Sequence, residues 1–352
     1  MKHILLKKES KTTHHYRANL HCHSTNSDGR KTVEELKRDY LAHGYSIVAF
    51  TDHDVFINHN DLSDDNFLAL NGYEVEITKE SRIFETAKCC HLCFISLNKD
   101  NDVPVCLHRS KYAWGNAIEL SKKMNWDKDE ADYEREYNPK CINDMIKKAR
   151  KRGFFVTYNH PQWSLEHYPD YSKYKRMNAM EIRNGSTICC GIDSDNGIIY
   201  DEMLNLGNRI YCIATDDNHN IHSDDSQDCD SYSGCVYIVA KRLEYRTITK
   251  ALEKGSFYSS SGNYKNNGPR ILSIIYDDEL KVVEVETTDA RTISFLTDTR
   301  SFYNWNSIDN ESINYASFKL RDEVSYFRIE VVDKNGFKAY SNAYFKDSLC
   351  KN

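Results

Sequence analysis

The chain has 352 residues, 40% of them hydrophobic, a formal net charge of −6 and 12 cysteines. This length suits one large domain or two ordinary ones, and 24 tyrosines and 14 phenylalanines can furnish a sizeable core. No long basic run is present, so the footprint for duplex nucleic acid is missing, although a nucleotide could still bind. No apolar stretch approaches a membrane span, and scattered thiols without a secretory leader point to reduced cysteines and a cytoplasmic protein.

In chain order, Tyr16–Leu20 reads as a strand that runs into Asn19–Gly29, NLHCHSTNSDG. Side chains two apart on a strand share a face, so His21 and His23 can reach one ion, and Asp28 can fold back toward it. Taken alone, this stretch reads equally well as two surface histidines before a turn. Thr32 and Glu35 form a capping box for a helix running to His43, which Gly44 closes. Tyr45–Phe50 is a buried strand that delivers Thr51-Asp52-His53-Asp54. Gly72–Ile77 carries Glu74 and Glu76, and His91–Leu97 begins with a histidine. Asn98 to Asn138 is a polar excursion with an acidic run and some helix. A helix over about 142–152 leads to the strand Phe154–Tyr158, which ends in Asn159-His160-Pro161. Ala179–Ile182 carries Glu181 into Arg183, and Ile198–Leu206 is a helix. Arg209–Ala214 empties into Thr215-Asp216-Asp217-Asn218-His219.

Strands alternating with helices predict a parallel sheet, with polar residues gathered just after the strands. About seven repeats favour a (β/α) barrel, which focuses those strand ends on one mouth. From Arg270 the pattern changes to short strands and turns, with Asp333–Gly336 as a hairpin turn. This predicts a barrel domain over 1–265 and a small all-β sandwich over 266–352.

The strand-end residues His21, His23, Asp28, His53, Glu74, His91, His160, Asp217 and His219 form the candidate metal set. So many imidazoles and carboxylates on one mouth are costly to bury without cations. Nitrogen and oxygen ligands without thiolate suit Zn²⁺, Mn²⁺ or Fe²⁺. Cys90 and Cys93 form a lone CxxC with no second pair.

HxH with SDG, TDH, GxE, a strand histidine, NHP and TDDxH, in that order over about residues 15–265, resembles the PHP (polymerase and histidinol phosphatase) family of metal-dependent phosphoesterases. The FYSSSG stretch and all-β tail further resemble two-domain bacterial members, including the CehA/McbA-type group. The resemblance implies a distorted seven-stranded (β/α) barrel holding two or three divalent ions. It places His21, His23, Glu74 and Asp217 on one ion. Glu74 bridges to a second held with His91 and His160, and Asp28, His53 and His219 hold a third. Spacing prefers Glu74 over Glu76 and Asp217 over Asp216. The implied reaction is hydrolysis of a phosphate ester in a small molecule or nucleotide by a metal-activated hydroxide, with no side chain assigned as the catalytic group. Arg183 is the candidate substrate-binding cation. Two alternatives stay open: the same site acting on a carbamate, amide or carboxyl ester, and a non-catalytic metal-binding or regulatory module.

Overall fold

The computed structural model describes residues 1–192, 195–226, 228–300, 303–308 and 311–349. Its strands begin with β1 (Lys2–Leu6), β2 (His14–Asn19), β3 (Ile47–Phe50), β4 (Leu68–Thr78), β5 (Cys89–Ser96), β6 (Phe154–Asn159), β7 (Ala179–Asn184), β8 (Tyr211–Thr215), β9 (Gly234–Ala240) and β10 (Phe257–Ser261). They continue with β11 (Ile271–Asp277), β12 (Val282–Ala290), β13 (Thr292–Thr297), β14 (Tyr303–Asn306), β15 (Ile313–Lys319), β16 (Tyr326–Val332), β17 (Lys338–Ser341) and β18 (Tyr344–Phe345).

Most of these strands belong to one large mixed sheet, ordered β14-β13-β16-β17-β10-β9-β2-β3-β4-β5-β6-β7-β8, with β18 beside β16. The predicted parallel register holds for β2–β3, β3–β4, β6–β7 and β7–β8. It fails at β4–β5 and β5–β6, which are antiparallel. Between β4 and β5 the chain has only residues 79–88, too few for the helical crossover that a parallel return needs.

The expected closed seven-stranded barrel is not formed by backbone pairing among the described residues, because β8 ends the path. The reason is that β9 already pairs with β2 and β10, while β10 pairs with β9 and β17. No ladder edge is left for β8. It lies against them instead, and Ser259 Oγ donates to the Cys212 carbonyl (2.9 Å) and accepts the Ala214 N–H (3.1 Å). At Gly234 any Cβ would stand 2.4 Å from the Thr215 carbonyl oxygen, so this close approach requires glycine.

Helices cover the sheet where the sequence predicts. The capping box of Thr32 and Glu35 opens the helix Val33–Ala42, which buries Leu36 and Tyr40. Asn138 caps Pro139–Lys151, whose apolar stripe of Ile142, Met145, Ile146 and Ala149 is buried, while Lys148, Arg150 and Lys151 complement its C-terminal end. Further helices span Gly197–Asn205 and Tyr245–Glu253. No helix among the described residues is long and apolar enough to cross a membrane. The described cysteines form no disulfide, and Cys22, Cys89, Cys90, Cys93, Cys106, Cys212 and Cys235 are buried.

Beyond Arg270 a second sheet, ordered β1-β11-β12-β15, faces the β13–β16 part of the large sheet. The space between is filled by Ile274, Val283, Val285, Ile293, Phe295, Phe318, Phe327 and Ile329. Two features cross the 265/266 division: β1 from the chain's start pairs with β11, and β10 pairs with β17. Of the span 266–352, residues 301–302, 309–310 and 350–352 lie outside the described residues.

Candidate metal centre

The first and last strand-end motifs are zipped together by their backbones. The His23 N–H donates to the Asn218 carbonyl (3.2 Å), and the Asp217 N–H to that of His21 (3.0 Å). The Ser-rich turn is folded around buried Asp52, whose Oδ1 accepts from the Ser24 N–H (2.8 Å) and the Ser27 hydroxyl (2.9 Å). Gly29 is required there, since a Cβ would lie 2.6 Å from the His23 carbonyl oxygen. His160 (φ 26°) and Asp217 (φ 53°) occupy the left-handed region. Such strain persists only where the surroundings fix it, and it is concentrated at functional positions.

All nine candidate residues converge. His21 Nε2 lies 3.1 Å from His23 Nε2, 3.2 Å from Glu74 Oε2 and 3.1 Å from Asp217 Oδ1. His23 Nε2 lies 3.3 Å from the same Glu74 oxygen and 3.1 Å from the same Asp217 oxygen. Four ligands about 2.0–2.1 Å from a tetrahedral ion stand about 3.3 Å from one another. The two imidazole nitrogens therefore stand from each other and from both carboxylate oxygens at the spacing of a coordination shell.

Two further groups share residues with the first. His53, Glu74 and His91 form one, and His23, Asp28, His53 and His219 the other. In the former, His53 Nδ1 is 3.4 Å from Glu74 Oε2 and His91 Nδ1 is 3.3 Å from Glu74 Oε1. In the latter, His219 Nε2 is 3.1 Å from Asp28 Oδ2. His160 Nε2 lies 3.4 Å from Glu74 Oε1 and 3.8 Å from Asp217 Oδ2, beside these groups. The division differs from the one implied by resemblance: His53 stands beside Glu74 with His91, and His23 joins Asp28. The cause is that each ring presents two nitrogens to two carboxylates; His23 Nδ1, for example, is 3.5 Å from Asp28 Oδ1. A neutral imidazole offers one lone pair, so each of these rings can complete one group at a time.

Around the nine, other side chains fix ring and carboxylate orientation. Glu181, completely buried, is the principal residue absent from the candidate set. Its Oε1 accepts from His21 Nδ1 (2.7 Å) and the Thr215 hydroxyl (2.6 Å), and its Oε2 from the His160 N–H (2.8 Å). This directs His21 Nε2 inward. Asn159 Nδ2 donates to Glu74 Oε1 (2.8 Å), and Asn184 Nδ2 to Asp217 Oδ2 (3.1 Å). The Ser164 hydroxyl meets His160 Nδ1 (3.1 Å), and the Asp217 carbonyl meets His219 Nδ1 (2.9 Å). Carboxylate–histidine pairs of this kind are worth about 10–100-fold in metal affinity. Glu181→Gln should therefore weaken Zn²⁺ or Mn²⁺ binding by about that factor in a chelator competition; unchanged affinity would remove Glu181 from this role.

The competing residues separate cleanly. Asp216 points away from the cluster and accepts from the N–H groups of Tyr232, Ser233 and Gly234, each at 2.8 Å, and from the Tyr40 hydroxyl. Glu76 lies at the margin, 3.8 Å from His91 Nε2. Arg183 is the fifth residue of β7, and its neighbour Asn184 donates to Asp217 in the cluster.

The electrostatics calls for cations. Burial opposes charge on His21 and His23, yet Asp217 and Glu74 hold both imidazoles well above their usual range. Burial likewise favours protonated Glu74 and Asp217, but the surrounding histidines, His21 foremost, hold both far below the carboxylate range. Burial, with His23 beside it, pushes His53 down to about 3. Among the described residues, His23 Nδ1, His53 Nδ1 and both His91 nitrogens are buried without a hydrogen-bond partner. Orphaned ring nitrogens facing carboxylates are what divalent ions would satisfy.

The chain matches no protein-family model and no curated protein. Among solved structures it is similar, at 15% identity and a TM-score of 0.43, to a two-domain protein from Bacteroides vulgatus containing a predicted PHP-like metal-dependent phosphoesterase. That likeness covers 97% of this chain and 98% of the other. A putative metal-dependent phosphoesterase from Bifidobacterium adolescentis is 14% identical, with a TM-score of 0.35 over 58% of this chain and 87% of its own. An amidohydrolase from Chromobacterium violaceum is 14% identical, with a TM-score of 0.38 over 68% of this chain and 96% of its own. What the site can do follows from its own atoms.

Proposed function

We propose that the protein is a metal-dependent hydrolase of phosphate esters, with small phosphorylated molecules, nucleotides included, as its substrates. The observation that carries the reading is the 3.1–3.3 Å spacing of the His21 and His23 Nε2 atoms from each other and from Glu74 Oε2 and Asp217 Oδ1, beside two further groups that share ligands with this one. Two or three divalent ions, Zn²⁺, Mn²⁺ or Fe²⁺, would be held there. When bound, such ions supply Lewis-acid charge to a phosphoryl oxygen and make water acidic near neutral pH. The chain's own work is to position. Glu181 fixes the His21 ring, Asn159 and Asn184 fix the Glu74 and Asp217 carboxylates, and Ser164 fixes His160. Among the nine candidate residues, Asp28 and His219 are the most exposed, with side chains 20% and 19% accessible.

The test is a turnover panel with metal analysis. Protein loaded with Mn²⁺ or Zn²⁺ should hydrolyse an aryl phosphate, and chelator treatment should abolish the activity until metal is restored. Turnover of an aryl carbamate or carboxyl ester alone would reassign the substrate class. Bound metal with no turnover of any ester would make the centre a non-catalytic one.

A further inference from the structure

Two tryptophans on separate segments stand against the proposed ligands. Trp114, in the 98–138 excursion, packs on His53 with ring centroids 5.7 Å apart. Trp163, in the turn after His160, packs on His91 at 5.5 Å and on His160 at 5.1 Å. His53 and His91 are themselves 5.7 Å apart and belong, with Glu74, to one group. Trp114 thus contacts the His53 member of this group and Trp163 its His91 member. Trp114 is 45% exposed and Trp163 half-buried, so each keeps surface facing solvent.

The excursion that carries Trp114 is held in place. Arg135, its side chain buried, donates to Asp54 Oδ1 (2.5 Å) and to the Glu76 carbonyl (2.9 Å), and its guanidinium sits 4.3 Å over the ring of Tyr112 in the excursion itself. Near the tip, Asn116 Nδ2 donates to the Thr25 carbonyl (3.0 Å) in the turn that carries Asp28. Trp114 is therefore presented at a fixed place beside the site. A large aromatic held half-exposed in this way keeps apolar surface in water that a ligand ring could cover.

We propose that Trp114 and Trp163 form a two-walled aromatic cleft that selects substrates with a planar aromatic ring next to the phosphoryl group. The inference rests on the hydrolase reading above, and it assigns the indoles a specificity role. Stacking on a π face rewards an aromatic ring over an alkyl chain of similar size. A role limited to shielding His91 and His160 from water would give no such preference.

The experiment compares Mn²⁺-loaded wild type with Trp114→Ala and Trp163→Leu, the latter keeping apolar bulk without the π face. Trp305→Phe, in the remote β-sheet region, is the control. Binding of phenylphosphonate and methylphosphonate is measured by calorimetry, alongside kcat/KM for phenyl phosphate and glycerol 2-phosphate. Wild type and the control should bind phenylphosphonate about 10-fold more tightly than methylphosphonate, and each cleft variant should lose most of that preference. Equal affinity of wild type for the two phosphonates, or a preference intact in both cleft variants, would overturn the proposal. Phosphonate binding needs no turnover, so an aromatic preference without ester hydrolysis would count against the phosphoesterase reading alone.

Discussion

Asp217→Asn should cost the protein an equivalent of bound divalent ion and nearly all of its turnover, while leaving the fold in place. Asp217 Oδ1 stands 3.1 Å from both His21 Nε2 and His23 Nε2, so it belongs to the innermost group of ligands. The amide keeps the shape and can still face Asn184, whereas the charge that holds the neighbouring imidazoles and a cation together is lost. The loss of affinity should exceed the ~10–100-fold typical of residues that only orient ligands. Elemental analysis after dialysis against a weak chelator, with circular dichroism as the check on folding, makes the measurement. If the variant retained the full metal complement, the assignment of the first group would be wrong. Asp216→Asn offers the contrast: that carboxylate accepts three backbone N–H groups and the Tyr40 hydroxyl, so its replacement should act on stability first.

Arg135→Met should produce a large loss of stability, although the residue lies outside the candidate metal cluster. The guanidinium and Asp54 are both buried, with side chains 2% and 4% exposed. Burial pushes the Asp54 carboxyl up, and Arg135 is what opposes that push. Removing one partner of a buried pair leaves an uncompensated charge, at a cost of about 3–5 kcal/mol. The Glu76 and Cys106 carbonyls lose their donor as well. Denaturant unfolding of Arg135→Met should show this loss, and the double variant Arg135→Met/Asp54→Asn should recover part of it because the orphaned charge is gone. A single variant as stable as wild type would show that the pair does not anchor the excursion.

The candidate ligands were legible as a set because a sheet of this kind delivers polar side chains at strand ends, and six short motifs fall there in order. Glu181 escaped the ligand set because nothing in the spacing of a mid-strand carboxylate reveals that it faces a histidine contributed 160 residues earlier. Arg135 escaped for a related reason: it lies in an acid-rich excursion, and only the folded chain brings it to Asp54. The strands themselves were readable from their apolar runs, but direction was not. Periodicity is the same for parallel and antiparallel neighbours, so the β4–β5 reversal depends on a short connection, and the β5–β6 reversal and the open edge at β8 on how the neighbouring strands already run and pair. The exchange of ring nitrogens between ligand groups is likewise a matter of geometry finer than any motif.

The pairing of β1 with β11 has a consequence for how the molecule can be cut. The five-residue strand Lys2–Leu6 is completed by residues 271–277, so the front of the chain belongs to the rear sheet. A truncation that removes it would uncover β11 as a bare edge able to recruit strands from other copies, leaving the candidate metal ligands in place. Severing the chain at 265 would in turn strip β17 from β10 and expose a second edge. The rear sandwich is thus less an appended module than a clasp joining both ends of the chain, and its loss would surface first as aggregation.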